Sequence, residues 1–341
     1  MKQILLFSLF AVLLAFVLPL LLYVPEYAAA QPQPAAESAA PEPTPTVLTE
    51  PEPVLDGSIS LRVRDADGIT EMTMAEYLPL ALAGEMPASF QPETLKAQAV
   101  ALRSYALYYQ AERKSAHPDA DICGDPACCA AMSSLPQLRA NWGEDYEKYY
   151  EKLCDAVHAT DGQYLVWEEE PALTVFHASS LGQTEAGSAL GVARSYLVSV
   201  DTPETEDTVK NLCTTVEVTA EEFRSAVQRL APEADFSEAR ECWLGETSLD
   251  TSGRVLSMEI GGARLTGLAL RQLFQLRSTN FTLEPTETGF RFSVRGYGHG
   301  LGMSQYGAEL MARDGANYAD ILRHYYPGTE LVMALRPPEA G

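Results

Sequence analysis

Apolar side chains recur every three or four positions between Pro92 and Lys114, a pattern that predicts the longest helix of the chain. Pro92 and Glu93 suit its first turn, where a missing N–H is harmless and a carboxylate faces the positive end of the helix dipole. The apolar positions on one face are Leu95, Ala99, Leu102, Ala106 and Tyr109. The other predicted helices cover 73–82, 146–157, 268–276 and 307–313.

Alternating or short continuous apolar runs between these helices predict strands. The predicted strands cover 58–64, 163–167, 173–176, 198–200 and 255–260. Strands and helices are mixed without the regular spacing of βαβ units. We therefore predict an α+β fold, with mixed strands and helices arranged around a long central helix.

The amino-terminal segment is apolar, and the stretch from Ile4 to Val24 contains no charged residue. Such a run is long enough to span a bilayer, and we interpret residues 1–24 as a transmembrane anchor. Small residues at 28–30 leave a cleaved signal peptide as the alternative. Lys2 favours an amino terminus on the inside, so both interpretations export the rest of the chain.

The segment that follows, residues 25–53, is predicted to be an extracytoplasmic linker rich in Pro, Glu and Ala. It contains eight Pro and five Glu but no Lys or Arg, and almost nothing that could enter a core. Such a composition favours an extended, semi-rigid spacer. The folded domain is therefore expected to cover residues 54–341.

The charge balance excludes several classes of partner. The chain has 24 Lys and Arg against 47 Asp and Glu, a formal net charge of −23. Nucleic-acid binding needs a basic surface, and no basic cluster is present, so we exclude nucleic acid as a partner. The acidity also argues against electrostatic binding to anionic lipid, so any membrane attachment must be apolar.

Glu85 is the first candidate for chemistry, because it lies in an apolar connection between two predicted helices, within Gly84-Glu-Met-Pro87. Burial there would raise the pKa of its carboxyl and keep it protonated, as a general acid for a glycosidic oxygen requires. The alternative is a surface glutamate at a helix end. The nearest other carboxylate in sequence is Glu93. Its position in the first turn of a helix already gives it a structural role, because a negative charge there is stabilised by the helix dipole.

A second candidate region is the glycine-rich stretch 296–308, GYGHGLGMSQYGA. Its glycines allow a close backbone approach, and its polar side chains can form hydrogen bonds. The stretch lacks the Gly-Lys-Ser/Thr ending of a phosphate-binding loop. From the residues alone, a binding segment and a tight structural turn remain equally open.

Four segments, in order along the chain, resemble the SpoIID/LytB domain family of stage II sporulation and amidase-enhancer proteins. They are GEMPASFQPETLKAQAVALRSYAL (84–107), FHASSLGQTE (176–185), YLVSVDTP (196–203) and GYGHGLGMSQYGA (296–308). The resemblance covers most of 58–327, and an amino-terminal anchor with a spacer is also typical of SpoIID proteins. The chain departs from the family where it has Ser180-Leu181-Gly182, because the family usually has Ser-Gly-Gly.

The resemblance implies a lytic transglycosylase that cleaves peptidoglycan between N-acetylmuramic acid and N-acetylglucosamine and leaves 1,6-anhydro-muramic acid ends. Glu85 matches the family's catalytic glutamate, so 54–341 would be the catalytic domain. One carboxyl suffices for this reaction, because it can act first as acid and then as base for the sugar's own 6-hydroxyl. The alternative is a non-catalytic, glycan-binding amidase enhancer of the LytB kind.

The resemblance also implies a set of substrate-binding side chains. Arg103 matches a basic family position, where an internal ion pair is the alternative to glycan contact. Thr184 is a further candidate for the cleft wall. The substrate-binding residues implied are Arg103, Ser179, Ser180, His299, Ser304, Gln305 and Tyr306.

One His and three Cys within thirteen residues offer the ligand types that tetrahedral zinc prefers: His117, Cys123, Cys128 and Cys129. Some clostridial family members resemble this arrangement, which implies a structural Zn²⁺. A disulfide cluster is the alternative, and either Cys128 or Cys129 could be a spectator. A pairing of Cys213 with Cys242 stays open. No HExxH motif supports a zinc hydrolase.

The family further implies partners and a location. The substrate would be glycan strands stripped of stem peptides, and the partners a SpoIIP-like amidase/endopeptidase and a SpoIIM-like membrane protein. The protein would act in septal wall remodelling and engulfment during sporulation. It would lie in the mother-cell membrane, facing the forespore.

Overall fold

The computed structural model describes residues 52–192, 194–210 and 212–335. Helices and short strands alternate irregularly along these residues, which confirms the predicted α+β class. The helices in these ranges are α1 (Met74–Glu85), α2 (Pro92–Glu112), α3 (Leu135–Trp142), α4 (Tyr146–His158), α5 (Ala220–Leu230), α6 (Gly267–Leu273), α7 (Gln305–Arg313) and α8 (Tyr318–Tyr325). The strands are β1 (Ser60–Arg64), β2 (Ile69–Thr73), β3 (Ile122–Cys123), β4 (Gln163–Trp167), β5 (Glu170–Pro171), β6 (Phe176–His177), β7 (Cys213–Thr219), β8 (Leu244–Leu249), β9 (Val255–Ile260), β10 (Ala263–Thr266), β11 (Phe281–Pro285), β12 (Gly289–Arg295), β13 (Met303–Ser304) and β14 (Glu330–Met333).

Helix α2 is the central helix of a first hydrophobic core, as its apolar pattern predicts. Leu95, Ala99 and Leu102 are fully buried, and α1, α4, α7, α8 and β4 all pack against the helix. Val100 and Ala101, outside the predicted stripe, are also fully buried. The helix is therefore enclosed on more than one side, a degree of burial that its single apolar stripe did not predict.

Helix α1 begins with a capping box and ends at the candidate acid. The Thr73 side chain accepts a hydrogen bond from the backbone N–H of Glu76, and the Glu76 carboxylate accepts one from the N–H of Thr73. The helix runs to Glu85, beyond the predicted end at 82, and stops where Met86 turns extended before Pro87. The sequence thus places Glu85 in the last turn of a helix whose end is fixed by the following proline.

Two predicted strands differ in the structure. The strand predicted over 173–176 is reduced to the two residues of β6, which pair in parallel with β13. No strand forms over 198–200, although Val200 hydrogen-bonds with Thr184 through its backbone. Val175, Phe176 and Val200 pack on the first core, so their burial resembles that of strand residues, whereas Val198 is exposed.

A second hydrophobic core is built entirely by residues between 213 and 295. In one sheet β12 lies between β11 and β7, and in another β9 lies between β10 and β8, with all neighbours antiparallel. Phe223 of α5 packs on Phe290 of β12, with ring centroids 4.2 Å apart. The chain leaves the first core before 213 and returns to it through the glycine-rich segment 296–308.

The predicted anchor, residues 1–24, lies outside the described residues, as does nearly all of the predicted linker at 25–53. Within the part of the chain that is described, no helix has both the length and the apolar content needed to cross a bilayer.

Candidate active site and His/Cys cluster

Glu85 is held at the end of α1 by two hydrogen bonds from distant parts of the chain. Its Oε1 accepts a hydrogen bond of 2.5 Å from the backbone N–H of Ala131. Its Oε2 lies 3.5 Å from the Nε2 of Gln305, the first residue of α7. Three segments that are far apart in sequence therefore meet at one carboxyl group.

The surroundings of Glu85 favour its protonated form. Burial raises the pKa of this carboxyl, and the hydrogen bonds from Ala131 and Gln305 lower it only in part. The side chain still retains partial exposure. A carboxyl with a raised pKa keeps its proton to higher pH, and one that also remains accessible can donate that proton to a bound molecule.

The segment that carries Ala131 lies directly on the last turn of α1. The N–H of Ser133 donates to the carbonyl of Leu80 at 3.1 Å. A Cβ added to Gly84 would lie 2.6 Å from the carbonyl oxygen of Ala131, closer than real Cβ atoms approach. Gly84 thus allows the 131–133 segment to reach Glu85.

The four predicted metal ligands come together next to this segment. The ligand atoms of His117, Cys123, Cys128 and Cys129 all lie within 4.8 Å of one another. His117 faces the carbonyl of Ala120 through Nδ1 at 3.2 Å, and its Nε2 lies 3.2 Å from the Sγ of Cys129. An imidazole that donates through Nδ1 offers Nε2 to a metal.

The cluster is a credible metal site by its donor set, one imidazole and three thiols at converging positions. All six cysteines of the chain are free thiols in this structure. The structure therefore differs from the alternative prediction, a disulfide cluster. Cys213 and Cys242 are likewise unpaired with each other and exposed. Burial raises the pKa values of the Cys123 and Cys129 thiols, so a metal would displace protons on binding.

Glycines in the 296–308 segment fill positions that no side chain could occupy. Gly298 has φ +114°, and a Cβ there would lie 2.7 Å from the Cβ of His177. Gly300 has φ +87°, and a Cβ there would lie 2.6 Å from the guanidinium carbon of Arg254. The segment is therefore a tightly packed structural turn that delivers polar residues to the site.

Gln305 and Tyr306 connect this segment to the end of α1 and the loop that follows it. Gln305 contacts the carboxyl, and the ring of Tyr306 packs edge-on against Phe90 at 5.2 Å, in the loop that follows α1. His299 is neutral, because burial and the nearby Arg271 lower its pKa to about 4. Its Nδ1 accepts a hydrogen bond from the N–H of Leu301 at 3.0 Å.

The sequence pattern of one family, SpoIID (stage II sporulation protein), matches residues 64–167, which include Glu85 and the whole His/Cys cluster. Stage II sporulation protein D of Bacillus subtilis is 34% identical over 269 residues, covering 78% of this chain and 76% of that protein. The chain belongs to the stage II sporulation protein D family. Stage II sporulation protein D of Bacillus amyloliquefaciens is 32% identical over 269 residues, covering 78% of this chain and 76% of that protein.

A shorter match links this SpoIID family member to an amidase enhancer of Bacillus subtilis. The two are 49% identical over 55 residues, which is 16% of this chain and 8% of the enhancer. The resemblance to the SpoIID family is therefore shown over most of the chain, and the likeness to the enhancer is local. The family has a role in sporulation.

The assignment of Arg103 to substrate binding is wrong for this SpoIID structure. Its Nε and Nη2 donate to the two carboxylate oxygens of Asp56, each at 2.6 Å, and Nη1 donates to the carbonyl of Gln163 at 2.8 Å. The side chains of Arg103 and Asp56 are 0% and 2% exposed. Arg103 therefore forms the internal ion pair that was its alternative, and it has no surface to offer a glycan.

Four residues with hydroxyl side chains, three serines and Thr184, were expected at the cleft wall but lie inside the protein. Ser180 donates to Nε2 of His177 at 2.5 Å, because Nδ1 of His177 donates to the carbonyl of Leu301. Ser304 donates to the carboxylate of Glu204. Ser179, Ser180, Thr184 and Ser304 are at most 1% exposed, so they shape the site from beneath and do not contact a ligand on its surface.

Several residues that build the site have no signature in the sequence. The amide of Ala131 belongs to the backbone, and any residue type other than proline supplies one. Glu204 and Arg254 are buried, and they contact Ser304 and Ser180, residues far from them in sequence. Covariation of these two positions with their partners in related sequences is the signal that could identify the two side chains.

Proposed function

We propose that this SpoIID family member is a lytic transglycosylase of peptidoglycan. It would cleave glycan strands between N-acetylmuramic acid and N-acetylglucosamine and leave 1,6-anhydro-muramic acid ends. The observation that supports this most strongly is the partly exposed Glu85, whose pKa is raised by burial. No second free carboxylate is needed, since the attacking group belongs to the substrate.

The reaction would use Glu85 twice. The protonated carboxyl donates its proton to the bridging oxygen as the bond from that oxygen to the anomeric carbon of muramic acid breaks. The resulting carboxylate then takes the proton of the 6-hydroxyl, whose oxygen bonds to the anomeric carbon. No water is consumed, and the carboxyl returns to its starting state. The Ala131 N–H and the Gln305 amide stabilise the carboxylate between the two steps.

The neighbouring carboxylates are engaged elsewhere, which supports a single-carboxyl mechanism. Glu93 accepts hydrogen bonds from the backbone N–H of Tyr318 and from Lys96. Glu309 accepts them from the N–H of Gln91 and the hydroxyl of Thr94 at the start of α2. Both residues hold helices together, and neither is available as a second catalytic group.

The test of the proposed function is the mass of the products made from peptide-stripped glycan strands by the full chain in detergent. Ends that are one water lighter than a free reducing end are the expected result. Free reducing ends would mean that water is the attacking group and that a hydrolase mechanism applies. A folded protein that makes neither product would contradict the catalytic proposal.

The local match to an amidase enhancer supports a second candidate, a non-catalytic glycan-binding protein that stimulates an amidase. This candidate predicts binding of glycan strands without new chain ends. It also predicts that a partner amidase works faster when the protein is added. The presence of Glu85 with a raised pKa favours the enzyme.

We propose Zn²⁺ as the ion of the His/Cys cluster, held by His117, Cys123, Cys128 and Cys129. Four protein ligands would leave no open position, so the ion would stabilise the 117–133 segment and would supply no Lewis acid. This segment ends in the residues that lie on α1 and contact Glu85.

Purified protein is expected to contain about one zinc ion per chain by elemental analysis, because the described residues bring together one such set of four ligands. Cys123→Ser should lose the ion and lower the unfolding temperature. Cys154→Ser, a free thiol on α4 outside the cluster, is the matched control and should keep it. Full metal content in Cys123→Ser would contradict the ligand assignment.

The remaining expectations on partners and location are carried by the family resemblance alone. We propose that the substrate strands are stripped of stem peptides by a SpoIIP-like amidase/endopeptidase and that a SpoIIM-like membrane protein is a further partner. We also propose that residues 1–24 anchor the protein in the mother-cell membrane, with the folded domain facing the forespore.

A further inference from the structure

Glu204 is a buried carboxylate that the proposed reaction does not use, and it is 2% exposed. Its Oε2 accepts a hydrogen bond of 2.7 Å from the hydroxyl of Thr202, and its Oε1 accepts one from the hydroxyl of Ser304. The backbone N–H of Ser180 lies 3.3 and 3.4 Å from the two oxygens. Burial of a carboxylate is costly unless such donors satisfy it. This carboxylate therefore ties together the segments that supply its donors.

Ser304 connects Glu204 to helix α7. Ser304 is the N-cap residue of α7, and its Oγ accepts a hydrogen bond of 3.4 Å from the N–H of Gly307. A hydroxyl has one proton, so donation of that proton to Glu204 leaves the lone pairs of the oxygen for Gly307. Glu204 therefore sets the orientation of the hydroxyl that caps α7.

The first turn of α7 is packed tightly around this cap. A Cβ added to Gly307 would lie 2.1 Å from the hydroxyl oxygen of Tyr325 and 2.3 Å from Oγ1 of Thr202. The hydroxyls of Thr202 and Tyr325 are themselves 3.2 Å apart. Glu204 accepts hydrogen bonds from both Thr202 and Ser304, so it is a common partner of the side chains that surround this turn.

The residue that follows the cap contacts the candidate acid. Gln305 is the first residue of α7, and its Nε2 lies 3.5 Å from Oε2 of Glu85. This distance is at the upper limit of a hydrogen bond, so a small displacement of the first turn would break the contact. The Gln305 amide and the Ala131 N–H lower the pKa of Glu85 against the effect of burial. The nearby hydroxyl of Tyr77 stays protonated, because burial raises its pKa well above the usual value.

We propose that Glu204 is a positioning residue for the acid Glu85. Through Ser304 it holds the first turn of α7, which places the Gln305 amide against the acid. Without Glu204, the Ser304 hydroxyl can turn to the carbonyl of Ala178, 3.5 Å away, and the cap weakens. Gln305 then moves away from Glu85, and the carboxylate formed during the reaction loses a donor. The inference rests on the proposed function and extends it to a residue that does not touch the substrate.

The test measures the pKa of Glu85 by NMR titration of its carboxyl carbon in the full chain in detergent, with Glu85→Gln to assign the signal. Ser304→Ala removes the link to α7, and Glu204→Ala removes the acceptor. Both are expected to raise the pKa of Glu85 to the extent that Gln305→Ala raises it, because all three break the same hydrogen bond. Neither should raise it further in a chain that already carries Gln305→Ala.

Thr174→Val is the matched control, because it removes another buried hydroxyl, one that donates to the carbonyl of Ala101 in α2 at 2.7 Å. It should leave the pKa of Glu85 unchanged. An unchanged pKa in Ser304→Ala or in Gln305→Ala would overturn the inference. A further rise when these two replacements are combined would overturn it as well. Ser304→Ala leaves the buried carboxylate in place, so the test stands even where Glu204→Ala does not fold.

Cleavage kinetics give a second readout. In Ser304→Ala we expect kcat to fall about tenfold with little change in KM, the scale of one lost hydrogen bond to a charged group. The pH at which the rate falls should move upward, because an acid with a higher pKa keeps its proton to higher pH. The NMR titration needs no cleavage, so a failure of the proposed function and a failure of this inference are distinguishable.

Discussion

Replacement of Glu85 by glutamine is expected to lower the rate of glycan cleavage about a thousandfold and to leave the fold intact. Glutamine has nearly the same shape and can still accept a hydrogen bond from Ala131 through its amide oxygen. It cannot give up a proton to the bridging oxygen or take one from the 6-hydroxyl. The size of the effect follows from the usual contribution of a general acid–base residue, about 10²–10⁴-fold.

Quantification of new chain ends per protein, at matched unfolding temperature, measures this effect. Glu93→Gln is the matched control, because Glu93 is a neighbouring carboxylate with structural contacts to Lys96 and Tyr318. It should change cleavage only severalfold. If the two variants were equally active, Glu85 would not be the acid.

The pH dependence of kcat/KM gives a second measurement of the same residue. Burial raises the pKa of Glu85, so the protonated acid persists to higher pH than in an exposed glutamate. The rate should fall as the pH rises through this raised value, because the proton donor is lost. A rate that falls only at pH values above the pKa range of carboxyl groups would assign the acid to another residue.

Replacement of Asp56 by alanine is expected to lower the free energy of unfolding by about 3–5 kcal/mol, the usual cost of breaking a buried ion pair. The variant leaves the guanidinium of Arg103 without its carboxylate in a site where the arginine side chain is 0% exposed. The carbonyl of Gln163 remains as a partner but carries no compensating charge.

Urea denaturation followed by circular dichroism measures this loss. Asp119→Ala is the matched control, because Asp119 pairs with Arg64 on the surface, with both side chains largely exposed. Such a pair contributes about 0–1 kcal/mol. Combining Asp56→Leu with Arg103→Met should recover part of the loss, since both charges then leave the interior. A loss in Asp56→Ala no larger than in the control would contradict a structural role.

The parts of the molecule that the sequence predicts are those encoded by residues near one another. The central helix follows from apolar spacing within a single segment, and Leu95, Ala99 and Leu102 are buried as expected. The His/Cys cluster follows from one His and three Cys within thirteen residues, and the structure brings them together. The neighbours of Glu85 in sequence, Gly84 and Pro87, mark it as a candidate acid.

Interactions between distant residues could not be predicted in this way. Asp56 and Arg103 are 47 positions apart, and Ala131 and Glu85 are 46 positions apart. Only the folded chain shows that Arg103 is enclosed and that a backbone amide holds the acid. The second core is likewise not predicted as a unit, because the apolar pattern predicts only its strand at 255–260 and its helix at 268–276, and its sheets pair residues far apart in sequence.

The contact between Ala131 and Glu85 also has a consequence for the acid itself. The N–H that holds the acid lies two residues after Cys129, in the segment that the thiol cluster closes. A chain in which this segment is still loose would leave Glu85 surrounded by water, with the acidity of any surface glutamate. The raised pKa of Glu85, on which the proposed function relies, therefore depends on the folded 117–133 segment as well as on α1 itself.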